Sequence, residues 1–405
     1  MVGEQRAELR YLAAAIPVRL VTEGTNVALA LAAAIDLHDV AIAGALIAVL
    51  TAPSVVAAPL IGALLDAVPS PRIAMLGASL LMAAVLVLTA FLPVVPLPLV
   101  FAALLLAGCV LPVFMGGLSA FVDEVMPGNV QRGFAVDALA YNIAGIGAPA
   151  IVSAATVLLS PSGALLALAV VSVLGGLLLQ TLPLTPRGGS AHPVALARGI
   201  AAAARHLVTH GPLARATSAG ALVTLGGGAM PVVAVLLALS RGADASGGGW
   251  LLTGFAIGGV GGAVLITVPA VTRRLAAFPA RWVMAGGFAL TGVFTLAAAF
   301  TPGFALTFVA LLLAGLPDAP GVAAMLRIRQ EESPESVRAQ VFVVASGLRV
   351  ATASMGAAAV GLLAGVAPAV LVALVAVPWI LAAPILLVRA GPGSGAAAAD
   401  PAPGT

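Results

Sequence analysis

The chain of 405 residues contains no lysine: all 18 of its basic residues are arginine. Without lysine there is no phosphate-binding loop of the G-x-x-x-x-G-K-S/T kind and no Schiff-base chemistry. Charged residues make up only 8% of the chain and aromatic residues 4%, which argues against a soluble enzyme and against a sugar site that stacks its ligand on rings. The lone cysteine, Cys109, excludes an internal disulfide. The net charge of +3 is spread between apolar runs rather than gathered on one face, so no nucleic acid is expected as a partner. No Ser–His pair or metal cluster is visible inside the apolar runs. The four histidines all fall in loops, and neither a metal nor a cofactor is expected.

What is present is apolar. Hydrophobic residues reach 61%, with a mean hydropathy of +1.17, where a soluble domain has about half apolar residues and a quarter charged. A lipid bilayer must therefore solvate much of the chain. Spans of about 20 residues suffice to cross it. Hydropathy with Gly and Pro punctuation predicts twelve helices, near 11–34, 41–66, 73–93, 97–121, 133–158, 162–183, 214–239, 248–270, 280–301, 303–326, 338–364 and 367–389. Only helices or closed barrels satisfy backbone groups in lipid, and these continuous runs lack the alternation of a barrel. The first run is too long for the apolar part of a cleavable signal and reads as a retained helix. With the N-terminus inside, fifteen arginines fall in cytoplasmic segments, Arg327 and Arg329 among them, against Arg241 alone outside. That bias puts both termini in the cytoplasm. Arginine-only usage with abundant Ala and Gly suggests a GC-rich bacterial genome, hence the inner membrane.

The longest polar interruption, 184–213, carries an amphipathic run from Val194 to Val208 and reads as a cytoplasmic linker between two six-helix halves, 1–183 and 214–390. The Ala/Gly/Pro-rich tail, 391–405, is expected to be disordered. The halves resemble each other. "TAFLP" (89–93) matches "AAFTP" (298–302) at an offset of 209, "FAALLLAG" (101–108) matches "FVALLLAG" (308–315) at 207, and "LVTEG" (20–24) matches "LVTLG" (222–226) at 202. Internal repeats are common in transporters, with the substrate site at their interface near mid-membrane.

The repeat singles out one position. Where the first half has Arg19 and Glu23, the second has Ala221 and Leu225, so the scaffold does not need those charges. Charged groups at the bilayer centre cost about 2.5–3.5 kcal/mol each on insertion scales, which makes function their default reading. Spaced four apart on one face, Arg19 and Glu23 can pair. Glu23 is the candidate for a proton or substrate cation, with Arg19 modulating it or meeting a substrate anion; a static pair that locks the helix is the alternative. Asn26, Asn142, Asp318 and Arg349 complete the expected cavity set. Asp318 sits between Pro317 and Pro320, where a kink frees backbone groups, and Arg349 is placed either to face the cavity or to neutralise Asp318. Asp137, one turn into its helix, reads as an acid favouring the helix N-terminus. Gly254, Gly258 and Gly262 form two G-x-x-x-G steps expected to pack helices closely.

Between the second and third helices, "GALLDAVPSPR" sets Gly62, Leu64, Asp66 and Arg72 in the order G-x-L-x-D followed by a basic residue. With the six-linker-six layout, this resembles the major facilitator superfamily over essentially the whole chain. "AGIGAP" (144–149) is similar to the G-x-x-x-G-P motif of its drug:proton antiporters, with alanine for both glycines. The resemblance implies an all-α membrane fold of two pseudo-symmetric six-helix bundles, with Gly62, Asp66 and Arg72 gating the inward face. It also implies alternating access driven by protons or another coupling ion. The expectation is a monomeric exporter of small, fairly apolar organic molecules. The rival readings are an uptake carrier for a small organic anion clamped by Arg19 and Arg349, or a receptor of the same fold that no longer transports.

Overall fold

The computed structural model describes residues 2–126, 130–185, 193–334 and 338–388, and among these the regular structure is helical throughout. The expected tail at 391–405 lies outside the described residues. Fifteen α-helices follow in order: α1 (Val2–Asp36), α2 (Val40–Ala67), α3 (Pro71–Ala90), α4 (Leu97–Pro112), α5 (Val122–Val125), α6 (Val130–Leu158), α7 (Pro161–Leu179), α8 (Pro193–Thr209), α9 (Gly211–Ser240), α10 (Gly247–Leu265), α11 (Pro269–Ala276), α12 (Ala280–Ala298), α13 (Phe304–Glu331), α14 (Arg338–Leu362) and α15 (Pro368–Leu387). Eleven of them are long and apolar enough to cross a membrane; α14, which carries Arg338 and Arg349, is the long helix outside that set.

Local chemistry sets the ends. Proline stands in the first turn of α3, α7, α9, α11 and α15, where its missing N–H costs nothing. Ser160 caps α7 by accepting from the Gly163 amide at 2.9 Å, and Asp39 caps α2 by accepting from the Ala41 amide at 2.9 Å. In the expected fourth span the helix breaks instead of running to 121. After Pro112 it widens into a π turn, Val113–Gly117, with Met115 off the helical region at φ −94, ψ −107. The expected eighth helix also stops early, at Leu265, because Pro269 starts the separate α11. The amphipathic linker run is α8, bounded within a residue of expectation. It packs Ala203 and Leu207 against Val341 and Ala345 of α14.

Helices α1, α6 and α7 pack together, as do α2 with α4 and α3 with α7; in the second half α9 packs with α14 and α15, α12 with α13 and α15, and α10 with α13. Gly258 and Gly262 of α10 lie against the Leu312 and Leu316 carbonyls of α13, and Gly254 against the Phe308 ring. A Cβ on Gly258 would stand 1.9 Å from the Leu312 oxygen, far inside contact distance. Gly258→Ala should therefore sharply reduce the monodisperse fraction on size exclusion, whereas Gly77→Ala, with nothing within 4 Å, should not.

The halves touch through α2 with α14 and α6 with α10. These contacts cluster toward the end away from α8. Gly44 faces Gly361 and the Ala357 carbonyl, Gly249 faces Ser153 and Pro149, and Thr51 hydrogen-bonds Ser354 at 2.7 Å.

Candidate functional site

Arg19 is fully buried, and it does not pair with Glu23. Its guanidinium reaches across to α6. Nη1 donates to the Asp137 carbonyl at 2.8 Å, Nη2 to Asp137 Oδ1 at 2.5 Å, and Nη2 also to Ser119 Oγ at 3.0 Å. The Tyr11 hydroxyl donates to the same Oδ1, the Ser119 hydroxyl to Oδ2 at 2.8 Å, and the Tyr141 ring lies 3.6 Å from the guanidinium carbon. The expected rim acid, Asp137, is thus the counter-ion of a buried cation. The π turn explains how Ser119 gets there: the break after Pro112 re-aims the chain, and Ser119 Oγ also lies 3.2 Å from the Met115 carbonyl. The ion pair, the other hydrogen bonds just named and an aromatic face satisfy Asp137 and most of Arg19, leaving Nε as the guanidinium nitrogen without a partner among the described residues.

One turn further along α1, Glu23 has no ion pair or hydrogen bond among the described residues. It opens instead into a cavity of about 270 Å³ between the halves. Glu23, Asn26 and Thr51 line it from the first half, and Gly227, Phe255, Ala353 and Trp379 from the second. Asn26 Oδ1 is buried without a donor. The opposite wall is apolar, with the Phe255 and Trp379 rings 6.4 Å apart and tilted by 46°. A chamber of this size suits a small ligand, and Glu23 is its one carboxylate among the described residues.

Of the six residues expected in the cavity, Glu23 and Asn26 line it. Asp318 and Arg349 are within electrostatic reach of each other, form no ion pair inside 4 Å among the described residues, and do not line this cavity. The backbone of Asn142 lies in α6, but its side chain is outside the described residues. The same holds for Gly62 and Asp66 in α2. Arg72 bonds within its own half rather than across a gate: it donates to the Gln180 carbonyl at 3.5 Å, and Gln180 Nε2 donates to the Arg72 carbonyl at 2.9 Å. A cation there complements the C-terminal end of α7. Arg329, expected just past the end of its helix, lies on α13, which runs on to Glu331, and is only 2% exposed. Sequence reasoning also passed over Trp379. A tryptophan behind Pro378 in an otherwise aliphatic helix, in a chain with three tryptophans, was the available signal.

A family model described as Major Facilitator Superfamily matches residues 11–226. No curated protein sequence matches the chain. Solved structures share the fold at low identity. The nucleoside transporter NupG (D323A mutant) superposes with a TM-score of 0.75 at 16% identity, covering 94% of this chain and 98% of that one. The POT family transporter PepTSo gives 0.70 at 14%, covering 94% and 97%, and a peptide transporter POT in complex with sulfate gives 0.72 at 15%, covering 94% of each. With a family model spanning more than half its length and an all-helical architecture to match, the chain belongs to the Major Facilitator Superfamily and is a multi-pass membrane transporter rather than an enzyme.

Proposed function

We propose that the protein is a proton-coupled secondary transporter that exports small, fairly apolar organic molecules by alternating access. It works in a bacterial inner membrane with both termini in the cytoplasm. The carrying observation is Glu23: a carboxylate with no ion pair or hydrogen bond among the described residues, in a mostly apolar chamber shared by both halves. Such a group can bind a proton or a cationic substrate group, but not both at once, and that exclusion is the basis of exchange. The segments 1–183 and 214–390 act as the rocking halves, and the Thr51–Ser354 and Gly44–Gly361 contacts as the gate away from the linker. The anion-uptake reading loses half of its clamp, because Arg19 is engaged by Asp137.

In a Cys109→Ala background, Thr51→Cys with Ser354→Cys should cross-link readily, because the two hydroxyls lie 2.7 Å apart. In proteoliposomes the oxidised pair should stop Hoechst 33342 flux, and reduction should restore it. Undiminished flux through the cross-linked protein would rule out alternation at this gate. Flux of the dye only toward the cytoplasmic face would favour uptake over export.

A further inference from the structure

Arg329 is 2% exposed, and its Nε and Nη2 have no partner among the described residues. It projects from α13 toward α9, where Gly220 leaves room: a Cβ at that position would stand 3.4 Å from Nη2. A second cation, Arg349 of α14, lies within electrostatic reach; its own Nε is buried without a partner among the described residues, and it also feels Asp318. The acids nearest in sequence are engaged elsewhere, Glu331 with Arg327 and Glu332 with His210. Asp318 lies three turns back on α13, within electrostatic reach of Arg349.

The internal repeat makes the imbalance plain. The offset of 202 carries Tyr11 to Leu213 and Arg19 to Ala221, and the offset of 207 carries Asp137 to Val344. Leu213 and Val344 belong to one apolar cluster. Where the first half closes its buried cation with an acid and a phenol, the second has leucine and valine. Its cation arrives from α13 beside Gly220, the neighbour of Ala221, with no acid paired to it among the described residues. A buried charge left uncompensated costs several kcal/mol, and a second cation beside it adds repulsion.

We infer that Arg329 and Arg349 form an oxyanion-binding site, and that the anion is the carboxylate of a small organic acid. Guanidinium groups present forked N–H donors that match a planar carboxylate. Arg349 is part-exposed and lies one turn from Ala353, which lines the central cavity. A carboxylate held by the two arginines would leave its apolar body in that cavity. The choice of an organic acid over an inorganic anion rests on the cavity being the substrate site; equilibrium binding at the two arginines does not require proton coupling.

The test is equilibrium binding of radiolabelled benzoate to the purified full-length protein in chloride-free detergent buffer, with sulfate as competitor. Wild type should bind benzoate saturably. Arg329→Gln should weaken binding roughly 10- to 100-fold, the loss of a charge-assisted hydrogen bond, and Arg329→Lys should lose less. Val344→Asp keeps both arginines and adds an acid at the counterpart of Asp137, so it should weaken binding comparably even if the glutamine variant fails to fold. Gly77→Ala, whose added Cβ meets nothing within 4 Å, should bind as wild type does, and saturable benzoate binding at equilibrium, with no gradient, keeps this site separate from the proton role proposed for Glu23. Binding of sulfate but not benzoate would overturn the organic-acid assignment. No saturable binding of either, or unchanged binding in both Arg329→Gln and Val344→Asp, would overturn the site.

Discussion

Asp137→Asn will destabilise the folded protein by about 3–5 kcal/mol, the usual consequence of removing one member of a buried ion pair. The neutral amide leaves the Arg19 guanidinium uncompensated in a site with no exposure, and it disturbs the bonds from Tyr11 and Ser119 to the carboxylate. Arg19→Gln should be nearly as severe, because the Asp137 carboxylate then keeps only hydroxyl donors. The double change Arg19→Leu with Asp137→Leu should recover most of the loss, since apolar replacement of a whole buried pair is often neutral or stabilising. Thermal unfolding in detergent of the two singles and the double reads this directly. If the double variant melts as low as the singles, the pair acts through more than its mutual charge. If the recovered double variant also transports, the network is a lock that holds α1 on α6, not part of the coupling path.

Glu23→Gln should do the reverse: leave the melting temperature unchanged or raised, and reduce proton-driven flux to the level of protein-free liposomes. The amide keeps the shape of the carboxyl but cannot carry the proton. Since Glu23 has no ion pair or hydrogen bond among the described residues, removing its charge breaks no described contact and relieves the burden of an acid in an apolar chamber. This contrast within one turn of α1 follows from the surroundings of each residue: Arg19 is enclosed by α6 and the π turn, while Glu23 opens to the cavity. Loss of stability in Glu23→Gln matching that of Asp137→Asn would mean that Glu23 also holds the fold together.

Much of this architecture is written in the chain at a local level. Prolines at helix starts and long apolar runs mark the spans, and the amphipathic stretch that became α8 stands out by its polarity. The broken repeat at "LVTEG" points to Glu23 without any structure. Harder to read is which charge meets which. Spacing of four places Arg19 and Glu23 on one face of α1, but a helical face says nothing about the neighbouring helix. The arginine side chain is long enough to cross to α6, where Asp137 supplies both a carboxylate and a carbonyl. The turn that brings in Ser119 needs a backbone break at Met115 that hydropathy cannot register. Arg329 looked like a loop residue because Glu331, Glu332, Ser333 and Pro334 follow it closely, yet α13 continues past it and buries it. That Arg72 would meet the Gln180 carbonyl at the end of α7 was not legible either, since the two lie 108 positions apart.

Proton movement on substrate addition is the most direct measurement of the coupling claim. Proteoliposomes loaded with pyranine, without an imposed gradient, are given Hoechst 33342 on one side. Wild type should show a change of internal pH that begins with dye transport and scales with it, while Glu23→Gln protein, folded and reconstituted to the same density, should show none. A proton signal of undiminished size in Glu23→Gln would contradict the account, whatever the dye does.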